Sequence, residues 1–259
     1  MMAHPNRREL GDFLRSRRER LTAETAGLPS GHRRRTPGLR REEVAELAGI
    51  GVDWYTGLEQ GRPVSPSATT LDALARALRL GAAEHAHLRA LARGAGRRAF
   101  SRESVPDAIR RLIEGLDRPA YVTGRRWDVL AWNTAAVQVF TDFGRLAEED
   151  RNILLYVLTD AGARRLFGPS WAEEARRMVA QFRATHDLWA ADPAFVASLE
   201  RLRRGCPEFS AWWEAHDVRG GGTGRKRLSH PEKGQLRFEY VTFQANDDPA
   251  LKLAIYTPV

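Results

Sequence analysis

The stretch from Arg41 to Gly61, REEVAELAGIGVDWYTGLEQG, constrains the fold more than any other part of the chain. Val44, Leu47, Ile50, Tyr55 and Leu58 repeat at helical spacing on both sides of Gly49. A glycine takes up turn conformations that strain other residues. The spacing therefore predicts two short helices, about 40–48 and 52–60, locked by those apolar residues. Ala45 or Ala48 is small enough for the helices to cross closely, and Glu59 followed by Gly61 ends the second helix. This is the outline of a helix-turn-helix, whose second helix enters the DNA major groove and meets base edges with its N-terminal residues.

The reading face is unusually bare. Val52, Asp53, Trp54, Thr56 and Gly57 are expected at or near the bases. Asp53 can accept from a cytosine amino group, Val52 can touch a thymine methyl, and Trp54 can pack on the sugar–phosphate backbone. Phosphate contacts then fall to arginines elsewhere: Arg33, Arg34 and Arg35, Arg40 and Arg41 at the N-terminus of the first helix, and Arg62 after the second. Phosphate contacts position a protein while base contacts specify the sequence.

The surroundings agree. RRELGDFLRSRRERL carries an apolar stripe of Leu10, Phe13, Leu14 and Leu21, broken by Arg17. Pro and Gly make 26–38 a loop. SPSATTLDALARALRL and GAAEHAHLRALARG add two helices, giving five helices and no strand up to about residue 94. The chain has a formal net charge of +8, and it is lopsided. Residues 1–104 hold 19 arginines against 12 carboxylates, whereas residues 105–259 hold 22 basic against 21 acidic side chains. Only three of the basic residues are lysines, which reflects a bias toward arginine but does not explain why the surplus sits at one end. Such a block fits a polyanion partner, double-stranded DNA.

GAGRRAFSRES is small, polar and basic and reads as a linker over 95–104. Beyond it the texture changes. RPAYVTGRRWDVLAWN predicts two short strands around a turn. The middle is helical, and GQLRFEYVTFQA and ALKLAIYTP alternate as an antiparallel pair. GGGTGRK reads as a mobile loop, because it lacks P-loop spacing. No GxSxG, HExxH or dinucleotide fingerprint is present, and the histidines have no metal-ligand spacing. The expectation is neither an enzyme nor a metal protein. The lone Cys206 reads as a packing residue and excludes an internal disulfide. No apolar run is long enough for a membrane span, and the opening lacks a secretory leader; the expected home is the cytoplasm.

A ligand pocket needs apolar walls and a few polar groups. Phe140, Met178, Phe182, Trp212 and Tyr240 are candidate walls, and plain core is the competing reading for each. Asn133, Arg183 and His216 are the candidate polar groups. Arg183 sits on a largely apolar helix, where a buried guanidinium needs an acidic partner from the protein or from a ligand.

LGDFLRSRRERL, RRRTPGLRREEVAELAGIGVDWYTGLEQGR and LDALARALRLGAAEHAHLRALA resemble the N-terminal half of the MmyB-like transcription regulators. RPAYVTGRRWDVLAWNTAA, MVAQFRA, FSAWWEAHDV, HPEKGQLRFEYVTF and LAIYTP resemble the second half in order. The resemblance implies two domains: an all-α, five-helix, lambda-repressor-like (Xre-type) DNA-binding domain over 1–94 and, after the linker, an α/β PAS-like domain over 105–259. It also implies an apolar, fatty-acid-like effector in the second domain. Two positions depart from the family pattern: Gly51 stands where a serine is usual and Gly57 where a basic residue is usual. The expected assembly is a homodimer on a two-half-site operator. The rival reading is a ligand-independent repressor whose second domain only dimerises.

Overall fold

The computed structural model describes residues 5–28, 38–93 and 99–259. It divides into two compact units. The first comprises Met1–Ala99 with two later segments, His186–Pro193 and Ala215–Arg219; the second comprises Phe100–Thr185, Ala194–Glu214 and Gly220–Val259.

Among the described residues the first unit is helical: α1 (Pro5–Arg20), α2 (Ala23–Ala26), α3 (Arg41–Ala48), α4 (Val52–Glu59), α5 (Ala68–Ala77) and α6 (Ala82–Arg93). Six helices are described where five were expected; the addition is α2, a single turn that Thr22 caps through the Thr25 amide at 3.2 Å. α3 begins where Glu43 accepts from the Arg40 amide at 2.7 Å, one half of a capping box whose other half an arginine, having no acceptor, cannot supply. It ends at Gly49, whose φ of +66° is the left-handed value that makes the turn. Val44, Ala45, Ala48, Tyr55 and Leu58 are buried in the helix pair. Leu47, expected to lock it, is 39% exposed instead, because it lies on the outer side of α3. α1 passes so close to the end of α4 that a Cβ on Gly11 would stand 2.4 Å from the Glu59 carbonyl oxygen. Within the same unit, His87 and Asp187 are both buried, with Nε2 and Oδ2 3.1 Å apart.

The second unit holds α7 (Asp107–Glu114), β1 (Ala120–Thr123), β2 (Val129–Trp132), α8 (Thr134–Val139), α9 (Ile153–Thr159), α10 (Ala161–Phe167), α11 (Trp171–His186), α12 (Pro193–Gly205), α13 (Phe209–Glu214), β3 (Gly224–His230), β4 (Gly234–Gln244) and β5 (Lys252–Pro258), the end residues of α11 and α12 excepted. All strand pairs are antiparallel, in the order β2-β1-β5-β4-β3. Side chains alternate between the two faces of a strand. One face presents Ala120, Val122 and Ala131 to Val105 and Ile113 of the α7 region. The other carries Tyr121, Tyr240 and Tyr256, met by Phe140 and Phe143 from the segment after β2. β1 is buried along its whole length because both faces are covered.

β3 corrects the reading of GGGTGRK. Gly224, Arg225 and Lys226 are strand residues paired with Tyr240, Glu239 and Phe238. The glycine run and the scarcity of apolar residues conceal the alternation. A Cβ on Gly224 would meet the Tyr240 ring at 2.7 Å, so the missing side chain gives that ring its place.

Asn133 holds the start of the sheet. Its Oδ1 accepts from the Ala120 and Ala136 amides at 3.1 and 2.9 Å. Its Nδ2 donates to the carbonyls of Ile113, Leu116 and Arg118 at 3.1, 3.1 and 2.7 Å. Replacing it strands several buried backbone groups at about 1–3 kcal/mol each. We expect Asn133→Ala to destabilise the second unit by about 2–4 kcal/mol, measured as a lowered urea midpoint; an unchanged midpoint would contradict this role.

Candidate functional site

In the first unit the exposed end of α4 matches the expected reading face in part. Val52 and Asp53 are exposed, and Trp54 and Thr56 are half-buried. Gly57 is buried: the nearest atom to a Cβ built there is Arg62 Cδ at 3.5 Å. Gly57 therefore offers no surface of its own, and the arginine stem from beyond the helix end covers the gap. Arg40 and Arg62 are exposed, and Arg41 is half-buried. Arg33, Arg34 and Arg35 lie outside the described residues.

Glu59, read from sequence only as a helix end, is the hub of this face. Its carboxylate is completely buried. Arg18 Nε donates to Oε1 at 2.5 Å, while Arg18 Nη2 and Arg41 Nε donate to Oε2 at 3.2 and 2.7 Å. Arg18 also donates to the Leu39 carbonyl at 2.9 Å. Burial works against the carboxylate's charge, but the bonds from Arg18 and Arg41 outweigh it and hold Glu59 below the usual carboxylate range. α1, α3 and α4 are thus joined through one side chain.

The sequence-predicted ligand residues do not form one site. Phe140 and Tyr240 both pack on Tyr256, with ring centroids 5.0 and 5.6 Å away. Phe182 and Arg183, each 1% exposed, surround Trp213 instead. The Arg183 guanidinium lies 3.9 Å from the Trp213 ring centroid and donates to the Trp213 carbonyl. Trp212 packs on Trp171, and Met178 is buried on α11. His216 falls in the first unit, where its carbonyl accepts from Arg17. Asn133 is consumed by the bonds described above, which corrects its reading as a polar group facing a ligand. His216 is grouped with the first unit and not with the other candidates.

What sequence reasoning missed lies on the aromatic face of the sheet. Tyr121 and Tyr256 share a 2.8 Å hydrogen bond. Arg177 of α11 donates to the Tyr240 hydroxyl and, at 2.6 Å, to Glu174. Lys226 of β3 points into the same group, with Nζ 3.4 Å from Glu174 and 5.2 Å from the Tyr240 ring centroid. The i, i+3 spacing of Glu174 and Arg177 was a readable signal; the strand that delivers Lys226 was not. A separate open cleft of about 460 Å³ is lined by Thr141, Leu146, Leu155, Tyr156 and Arg201 among others. Cys206 is buried, and burial, with Glu208 beside it, pushes its thiol up to about 11, which suits packing rather than reactivity. Among the described residues no group of three or more His, Cys, Asp or Glu could hold a metal, and no helix is long and apolar enough to cross a membrane.

Residues 105–259 match the family model described as the MmyB-like transcription regulator ligand binding domain. The chain belongs to that family. A helix-turn-helix domain model matches residues 9–88, the region built around α3 and α4. No curated protein matches the chain. It is therefore a transcription regulator with a DNA-binding helix-turn-helix and an MmyB-like ligand-binding domain.

A carboxylate held below its ordinary range stabilises the fold fully above that range, and the stabilisation is lost as pH falls through the folded value. Removing one partner of a buried pair costs about 3–5 kcal/mol. We expect Glu59→Ala to lower the stability of the first unit by that order at pH 7. The gap between wild type and variant should narrow steadily below about pH 4. Chemical denaturation at several pH values reads both effects.

Proposed function

We propose that the chain regulates transcription as a homodimer on a two-half-site, double-stranded operator. Its second domain would be PAS-like and would bind an apolar, fatty-acid-like effector. The observation that carries this reading is the conjunction of the exposed N-terminal end of α4, backed by a rigid ion-paired support, with a separate domain of a ligand-binding family. On this reading the DNA-binding part is 1–94, with 95–104 as linker and 105–259 as effector domain.

Arg41 is suited to a phosphate. Its Nε is tied down by Glu59, while 39% of its side chain remains exposed. A fixed guanidinium loses less freedom on contact than a mobile one. Val52 and Asp53 would discriminate bases, with Arg40, Arg62 and Arg33–Arg35 supplying further phosphate contacts. The five antiparallel strands, with the first and last adjacent, support the PAS-like reading. The aromatic lining supports an apolar ligand. Both matched families are regulator domains, which supports a protein that binds and signals rather than catalyses. The effector acts only by its difference in affinity between two arrangements of the protein.

The test begins with selection of bound sequences from a random duplex pool by the full chain. Fluorescence anisotropy across salt concentrations follows. Arg41→Ala is expected to weaken every sequence alike and to reduce the salt slope by about one. Asp53→Ala is expected to relax preference at one base pair, at about 1–3 kcal/mol. No enrichment from the pool would overturn the DNA assignment. Native mass spectrometry of the purified dimer reads the effector; a dimer that carries and takes up no apolar molecule would favour a domain that only dimerises.

A further inference from the structure

The polar group on the aromatic face of the sheet has an unbalanced charge and an unbalanced set of donors. Both imbalances have the same sign. Lys226 is 7% exposed. Among the described residues its ammonium has one oxygen partner, Glu174 at 3.4 Å, and otherwise faces the rings of Phe167, Tyr240 and Tyr256 at 5.2, 5.2 and 5.9 Å. An ammonium carries three donors and no acceptor, so two of its three N–H groups meet only ring faces. Arg177 draws on the same carboxylate, and its guanidinium also lies over Tyr240, at 5.4 Å. Two cations therefore share one half-buried carboxylate, and of the two only Lys226 is buried, its side chain 6% exposed against 20% for Arg177.

The tyrosines add to the surplus. Tyr240 accepts from Arg177, which leaves its own proton to give. Of the two hydroxyl protons on Tyr121 and Tyr256, one serves the bond between them and one remains. Neither remaining proton has an acceptor among the described residues. Burial pushes Lys226 down to about 8; Glu174 opposes that shift and Arg177 adds to it. Ordinary core packing does not call for this arrangement, since a buried cation is expected to be fully paired.

We propose that Lys226, Arg177 and the hydroxyls of Tyr121, Tyr240 and Tyr256 form the polar end of the effector site and receive the carboxylate of an apolar acid. One negative charge with several lone pairs corrects both imbalances together, and charge-assisted hydrogen bonds are the strong kind. The surrounding rings suit the apolar body of such a molecule. Tyr121 packs on Phe143, and Phe143 on Tyr156, which lines the open cleft; the aromatic layer thus continues from the cations to a solvent-facing wall. The assignment rests on the reading of this domain as an effector domain. It places the anion at Lys226 rather than at Arg183, whose guanidinium is occupied by Trp213.

The experiment is calorimetric titration of the delipidated full-length chain with decanoate and, separately, with decan-1-ol at pH 7. The wild type is expected to bind the acid about ten-fold or more tighter than the alcohol. Lys226→Met is expected to abolish that preference while keeping alcohol affinity within about two-fold. Lys226→Gln, which removes the same charge but keeps a polar end, holds the test open if Lys226→Met unfolds, and it should show the same lost preference. Equal wild-type affinity for acid and alcohol would overturn the anion site while leaving an apolar effector domain in place. So would a preference lost in Arg183→Met but kept in the Lys226 variants. Binding of neither probe would overturn both this assignment and the effector reading beneath it.

Discussion

The first unit depends on a carboxylate placed where a carboxylate is expensive. Glu59 closes the recognition helix, yet its side chain is wholly enclosed and bonded to arginines from two other helical segments. Removing such a group from water costs several kcal/mol before its partners offset the loss. The arrangement gives orientation in return. A greasy contact between α1, α3 and α4 would tolerate sliding, whereas three directed bonds to one carboxylate do not. Gly11 lets α1 approach the α4 backbone closely enough for Arg18 to reach. The same carboxylate also fixes Arg41, so the support of the recognition helix and the aim of a surface cation come from one group.

The second unit also sets one carboxylate between two cations. Glu174, half-buried, is shared by Arg177 and Lys226, and Arg177, like Arg41, is partly in water. Arg41 can place its remaining charge in solvent. Lys226, 6% exposed along its side chain, has no such outlet. This difference in exposure separates a surplus cation that is merely structural from one that calls for a further partner.

Much of the architecture was legible because backbone rules are local. Gly49, the apolar spacing around it and the alternation in β4 and β5 all act within a few residues, and the structure agrees with them. The residues that define the sites were harder to read, because their meaning depends on distant parts of the chain. Gly57 looks like a gap until Arg62 folds back over it. Asn133, a polar residue after an apolar strand, looks like a ligand group; only the turn between α7 and β1 shows where its bonds go. A glutamate at a helix end reads as solvated, and nothing near Glu59 in sequence announces Arg18. Lys226 was hidden doubly, by the glycines before it and by a strand whose facing residues are mostly polar.

The tyrosines carry the same argument into the sheet. Tyr121, Tyr240 and Tyr256 lie on one buried face, where phenylalanine would fill nearly the same volume without a hydroxyl to satisfy. Burying three hydroxyls is unfavourable unless each is bonded. Here one bond joins two of them and the third is tied to an arginine. Local consistency holds through most of the domain and fails at this cluster, and such failures concentrate where a structure has work to do. A face built only for stability would shed its hydroxyls and its lysine together. Their joint presence, with donors and positive charge in excess at one point, is what the proposed carboxylate site requires.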